Sequence, residues 1–205
     1  MPQASLAAAA ADSAGMWHGQ HGQDYIIAGL FEHKKVGFFV DLAANDPVVL
    51  SNSRALERDY GWRGVCIEPQ EALTKLLSAG RQCTVVKAVV SREEAGEVTF
   101  REKAGAMPTW TRGVRLQKHT LSNVVSNGSK AERGSVDRRV RTQSLAALLS
   151  ACDAPRTIEY LSLGGPIIPS HHSSSLFRLL IPVLYHCVLP LHSVCVIVRR
   201  RGPRG

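Results

Sequence analysis

The chain has 205 residues, 44% of them hydrophobic and 20% charged, with a formal charge of +8. That much apolar sequence buries a core over most of its length, which excludes a wholly disordered chain and a multi-pass membrane protein. Residues 1–163 carry 20 basic and all 17 acidic side chains, whereas residues 164–205 carry 5 basic side chains and no acid. Most of the tail's excess is one terminal run, Arg199, Arg200, Arg201 and Arg204, so the high isoelectric point lends little support to a nucleic-acid partner.

Residues 1–22, rich in Ala, Gly, Gln and His, read as a flexible lead without the basic n-region and long apolar stretch of a secretory signal. Residues 24–33 suit a short entry helix. The apolar run from Val36 to Leu42, carrying the acid Asp41, is followed by turn-formers and a helical pattern through Val49, Leu50, Leu56 and Tyr60, which predicts strand, loop and helix. Asp46 suits an N-cap, with Pro47 at the first helical position. A second strand is expected over Val65 to Glu68, then a helix through Leu73, Leu76 and Leu77 ending at Gly80. A third strand follows over Cys83 to Val90 and a fourth over Gly96 to Phe100.

Strands alternating with helices predict parallel βαβ units and a mostly parallel, Rossmann-like α/β sheet. Residues 101–135 keep no period and read as a long loop. Order resumes from Val140 to Leu149, with a strand over Thr157 to Leu163. Five cysteines, at 66, 83, 152, 187 and 195, form an odd set without a C-x-x-C pair; reduced, buried thiols and a cytoplasmic rather than secreted protein are expected.

In open α/β sheets ligands bind beyond the carboxyl ends of the strands, where the first βα loop meets the cofactor. That loop is Asp41-Leu42-Ala43-Ala44-Asn45-Asp46-Pro47, and a second acid, Glu68, ends the next strand 27 residues after Asp41. A carboxylate there can accept both hydroxyls of a ribose. On spacing alone, Asp41 is equally a strand-end acid and Glu68 a helix N-terminal charge beside Pro69. Neither G-x-G-x-x-G nor G-x-x-x-x-G-K-[ST] occurs, which counts against dinucleotides and nucleoside triphosphates. S-adenosylmethionine, which carries no phosphate, remains.

Several linked stretches resemble the FkbM-type methyltransferases. They are Gly22-Gln23-Asp24, Gly37 to Asp46, Ser51-Asn52-Ser53 with Leu56-Glu57, and Gly61-Trp62-Arg63-Gly64 through Glu68-Pro69. Downstream, Arg81 with Cys83, Val86 to Ser91, and Ile158 to Leu163 continue the pattern, so the resemblance spans about residues 20–163. It implies a class I methyltransferase fold over 23–163 that uses S-adenosylmethionine to methylate a hydroxyl of a small molecule or glycan. By position it implies that Asp41, Ala43, Ala44 and Asn45 line the methionine end of the cofactor and that Glu68 holds its ribose. Gln23 and Asn52 would help to close the site.

The chain departs from that family in three places. Ala43 and Pro47 stand where the pattern has glycines, and after Leu163 the expected Asp-x-Glu-Gly gives way to Gly164-Gly165-Pro166. The fold is therefore expected to be C-terminally incomplete, with residues 164–205 a divergent tail, the edge of the 157–163 strand open or covered only by that tail, and no catalytic base identifiable. The abrupt change also fits an altered exon, intron or frame junction. Residues 179–198 hold no formal charge and are followed by three arginines, which is long enough for a bilayer anchor, although Pro182, Pro190, His186 and His192 oppose one. His186, Cys187, His192 and Cys195 match no zinc spacing. A non-catalytic methyltransferase-fold remnant or a tail-anchored interaction protein is the alternative to an enzyme.

Overall fold

The computed structural model describes residues 17–19, 22–91, 96–103, 123–124, 135–163, 184–188 and 194–198. Helix α1 (Gln23–Leu30) precedes β1 (Phe38–Leu42), α2 (Arg54–Tyr60), β2 (Arg63–Ile67), α3 (Glu71–Gly80) and β3 (Thr84–Val86). Then come β4 (Val89–Val90), β5 (Glu97–Lys103), β6 (Asn123–Val124), β7 (Ser135–Gln143), α4 (Leu145–Ala151), β8 (Tyr160–Leu163), β9 (Leu184–Val188) and β10 (Val194–Val198).

One sheet runs β3-β2-β1-β8-β10-β9, with β3, β2, β1 and β8 all parallel, β10 antiparallel to β8 and β9 antiparallel to β10. This is an α/β fold with a mostly parallel sheet, compatible with a Rossmann-like architecture. Strand order steps outward from β1 to β3 and then resumes on the other side of β1 with β8. The switch point, where such sheets take ligands, therefore lies between β1 and β8.

Alternation along the strands supplies a core on each face. Phe39, Cys66 and Tyr160 pack with Ile27, Leu56 and Leu77 from the first three helices, while Val40, Val65, Ile67, Leu161 and Leu163 pack with Leu148 of α4. Gly64 allows β1 and β2 to meet: a Cβ there would stand 2.5 Å from the carbonyl oxygen and ring of Phe39. Trp62 packs the corner before β2, buried and donating to the Lys34 carbonyl at 2.8 Å.

Several expectations change. Asp46 does cap, accepting from the N–H groups of Val48 and Val49 at 2.7 and 2.8 Å, but the helix begins only at Arg54. Leu50 takes φ +58° and bridges Gly19, so the capped turn closes on itself and does not propagate. The run from Cys83 to Val90 divides between two sheets, because the chain leaves β3 and joins β7 as β4. The strand expected at 96–100 is β5, and it pairs antiparallel with β7 in this second sheet, ordered β4-β7-β5-β6. Cys66 and Cys83 are joined as a disulfide between β2 and the residue preceding β3, with Cα atoms 6.2 Å apart, whereas Cys152 is free.

Trp17–Gly19, within the expected lead, are packed: Trp17 meets Tyr25 edge-on at 5.2 Å, and buried Asp24 accepts from the N–H groups of His18 and Gly19 at 2.6 and 3.0 Å. At the other end, β10 covers the edge of β8, and β9 lies outside it. Two segments of the stretch considered as an anchor are thus strands, and among the described residues no helix is long and apolar enough to cross a membrane. Within the stretch expected to be a loop, residues 101–103 continue β5 and Asn123–Val124 form β6, and order resumes with β7 at Ser135 rather than at Val140. Gly164 to Pro166, His192 and the rest of 101–135 lie outside the described residues.

Candidate functional site

The loop between β1 and α2 is tied down by the end of β2. Ala44 donates its N–H to the Ile67 carbonyl at 3.2 Å, and Asn45 donates its N–H to one Glu68 carboxylate oxygen at 3.0 Å. The other Glu68 oxygen accepts from the Gln70 N–H at 2.9 Å, and the Glu68 N–H donates to the Val86 carbonyl. Glu68 is thus buried at the point where the first three strands end. Burial pushes its carboxyl up to about 7, helped by the nearby charge of Asp41 and opposed by the two N–H donors.

Backbone shape in this loop bears on the missing glycine. Ala43 has φ +59° and Asn45 φ +57°. Asparagine tolerates the left-handed region, whereas alanine there brings its Cβ against the backbone. Ala43 therefore carries strain that the glycine of the FkbM-type pattern would not have.

Asp41 sits deeper than its place in the motif suggests. It is 3% exposed, accepts a hydrogen bond from the Ser53 hydroxyl and lies beside Ser162, its register partner in β8. Burial pushes its carboxyl up, while the hydroxyls of Ser53 and Ser162 and the Arg81 guanidinium pull it back. Asn52 donates from Nδ2 to the Ser162 hydroxyl at 3.1 Å, and its Oδ1 is buried without a hydrogen-bond partner. Asp41, Ala43, Ala44, Asn45, Asn52 and Glu68 thus belong to one set of strand ends and the loop between them. Gln23 lies buried under the Trp17–Gly19 segment, its side-chain oxygen 3.0 Å from where a Cβ on Gly19 would stand. That segment touches the same loop through Gly19 and Leu50.

A second group was not singled out as a site from the sequence. Arg81, buried just beyond α3, donates from Nε to Glu57, from one Nη to Ser51 at 3.0 Å and from the other to Ser53 at 3.0 Å. Glu57 also accepts from the Gln82 N–H at 2.9 Å. Arg81 and Glu57 both lie in stretches that carry the resemblance, but only the fold brings them together. Ser162 was equally hidden, one hydroxyl within an apolar strand.

No protein-family model, no curated protein and no solved structure matches the chain. Among the described residues no cluster of three or more His, Cys, Asp or Glu side chains is placed to hold a metal ion.

Proposed function

We propose that the chain is a class I, S-adenosylmethionine-dependent methyltransferase of the FkbM type that methylates a hydroxyl of a small molecule or glycan. The observation that carries this is the buried Glu68 carboxylate at the end of β2, with a backbone N–H of the cofactor loop on one oxygen and that of Gln70 on the other. Each carboxylate oxygen has two lone pairs, so one remains on each for a vicinal pair of ribose hydroxyls. The donor chemistry fits a nucleoside, the loop offers no phosphate cradle, and the partnerless Asn52 Oδ1 leaves an acceptor for a ligand N–H or O–H group.

Asp41, Ala43, Ala44, Asn45 and Glu68 would hold the cofactor, with Asn52 and Gln23 closing around it. When bound, S-adenosylmethionine supplies a methyl group already activated on a sulfonium. The protein's own part is to align that methyl with the acceptor and exclude water. No catalytic base is assigned.

A remnant that binds the cofactor without turnover is favoured by one observation, which counts against the alternative of a tail anchor because β10 and β9 lie within that stretch. Gly164-Gly165 follows Leu163 where the family pattern has its acids, and β10 occupies the edge of β8 directly before that point.

Calorimetric titration of the full chain with S-adenosylhomocysteine tests cofactor binding, and a methyl-transfer screen over hydroxylated acceptors separates enzyme from remnant. Saturable one-to-one binding is expected; none by a folded sample rejects the assignment. Ribose hydroxyls donate best to an ionised carboxylate, so affinity should rise between pH 6 and pH 8 as Glu68 ionises near 7. Glu68→Gln should weaken binding by about tenfold and flatten that profile. Ligand-free stability follows the opposite sign: with the folded value raised from 4.5 to about 7, the contribution of Glu68 is full below 4.5 and is lost as pH rises through 7.

A further inference from the structure

Besides the Ile67 carbonyl, the Gly19 bridge and Ser162, three charged side chains outside β1 hold the segment between β1 and α2. Glu68 holds its entry at Asn45. Arg54 reaches back to the Pro47 carbonyl at 3.5 Å and across to the Gly80 carbonyl at 3.3 Å. Arg81 holds its exit by donating to Ser51 and Ser53 from the two Nη atoms of one guanidinium. Ser53 in turn donates to Asp41, so the exit clamp runs back into β1.

We infer that Arg81 is the positioning residue of this loop: its guanidinium, anchored on Glu57, fixes Ser51 and Ser53 and through Ser53 sets the end of β1 on which the cofactor segment hangs. This rests on the cofactor assignment for its consequence in binding, but not for its effect on the loop. The geometry requires a fork. Glu57, Ser51 and Ser53 are served from three different nitrogens, and a lysine ammonium, one nitrogen on a flexible stem, cannot span them. The site is also closed to substitution by water, because the Arg81 side chain is fully buried and Glu57 nearly so. The two serines differ in reach. Ser51 ends the chain of contacts, whereas Ser53 passes it on to Asp41.

The test uses the full chain and its Arg81→Lys, Ser53→Ala and Ser51→Ala variants. Two properties are read: amide hydrogen exchange at Ala44 and Asn45 without ligand, and calorimetric affinity for S-adenosylhomocysteine well below each variant's Tm. Arg81→Lys and Ser53→Ala should speed exchange at both amides and weaken binding by about tenfold, the weight of one charge-assisted hydrogen bond. Ser51→Ala should lower the Tm but leave both properties near wild type. Should Arg81→Lys fail to fold, the two serine variants carry the test alone.

If Ser53→Ala only lowers the Tm, with exchange and affinity unchanged, the clamp is ordinary core structure and the inference is overturned. If wild type does not bind the nucleoside yet Ser53→Ala speeds exchange, the positioning role stands and the cofactor assignment falls.

Discussion

Two regions of this molecule use the same pairing of arginine with carboxylate in opposite settings. Beneath the β1–α2 loop, Arg81 and Glu57 have side chains 0% and 7% exposed, and the guanidinium is further committed to two serine hydroxyls. On the β5–β7 ladder, Arg139 meets Glu97 at 3.0 Å with side chains 80% and 54% exposed, and Arg138 meets Glu102 at 3.1 Å. Arg101 and Asp137 stand between these extremes, directly opposite in register and joined through two nitrogens at 2.7 and 2.9 Å. The number of ion pairs therefore says little about where the molecule is rigid. Burial decides it, since water screens the ladder and cannot replace any partner in the clamp.

The contrast breaks most visibly when one partner is removed. Glu57→Ala leaves a buried guanidinium without its carboxylate and exposes the Gln82 N–H to the same loss, so a destabilisation of about 3–5 kcal/mol is expected. Chemical denaturation read by circular dichroism measures it. A loss below about 1 kcal/mol would mean that the site relaxes to admit water, and the clamp would then resemble the ladder.

This contrast was only half legible in the sequence. The alternation of apolar strands with helices gave β1, β2, α3 and β8 nearly in place, because a strand buried on both faces is a short continuous apolar run and Leu73 and Leu77 mark the inward face of the helix. Asp41 and Glu68 were legible as well, each sitting at the end of such a strand. The clamp was not, because it joins residues 24 to 30 apart in sequence, and no local period marks a buried arginine after a helix. The late start of α2 was hidden for a related reason. Asp46 makes a good cap, but the backbone of Leu50 is used by Gly19, a long-range partner that outweighs local propensity. The course of the chain after β3 and the pairing of β10 on β8 likewise depend on which edge is free, a property of the assembled sheet.

A smaller effect sharpens the comparison within the buried half. Ala43 sits at φ +59° in the loop that Glu68 and Arg81 hold from either end. Ala43→Gly should relieve about 1 kcal/mol of left-handed strain, offset in part by the greater freedom of glycine in the unfolded chain. The net gain should be a rise in Tm, with affinity for S-adenosylhomocysteine equal or tighter. A fall in Tm would show that the clamps hold this loop without strain at Ala43.

The smallest effect belongs to the ladder. Arg139 stands across from Thr99 and reaches Glu97 diagonally, so both side chains give up rotamer freedom for an attraction that water weakens. Arg139→Ala should change stability by less than about 0.5 kcal/mol, and 0.5 M salt should remove what difference there is. Alanine is also a poor strand former, so part of any small loss is strand preference rather than charge. Arg139→Gln separates the two, because it keeps most of the stem and drops the charge. If Arg139→Gln matches wild type while Arg139→Ala does not, the loss in alanine comes from the missing side-chain length and strand preference, and the ion pair with Glu97 contributes almost nothing.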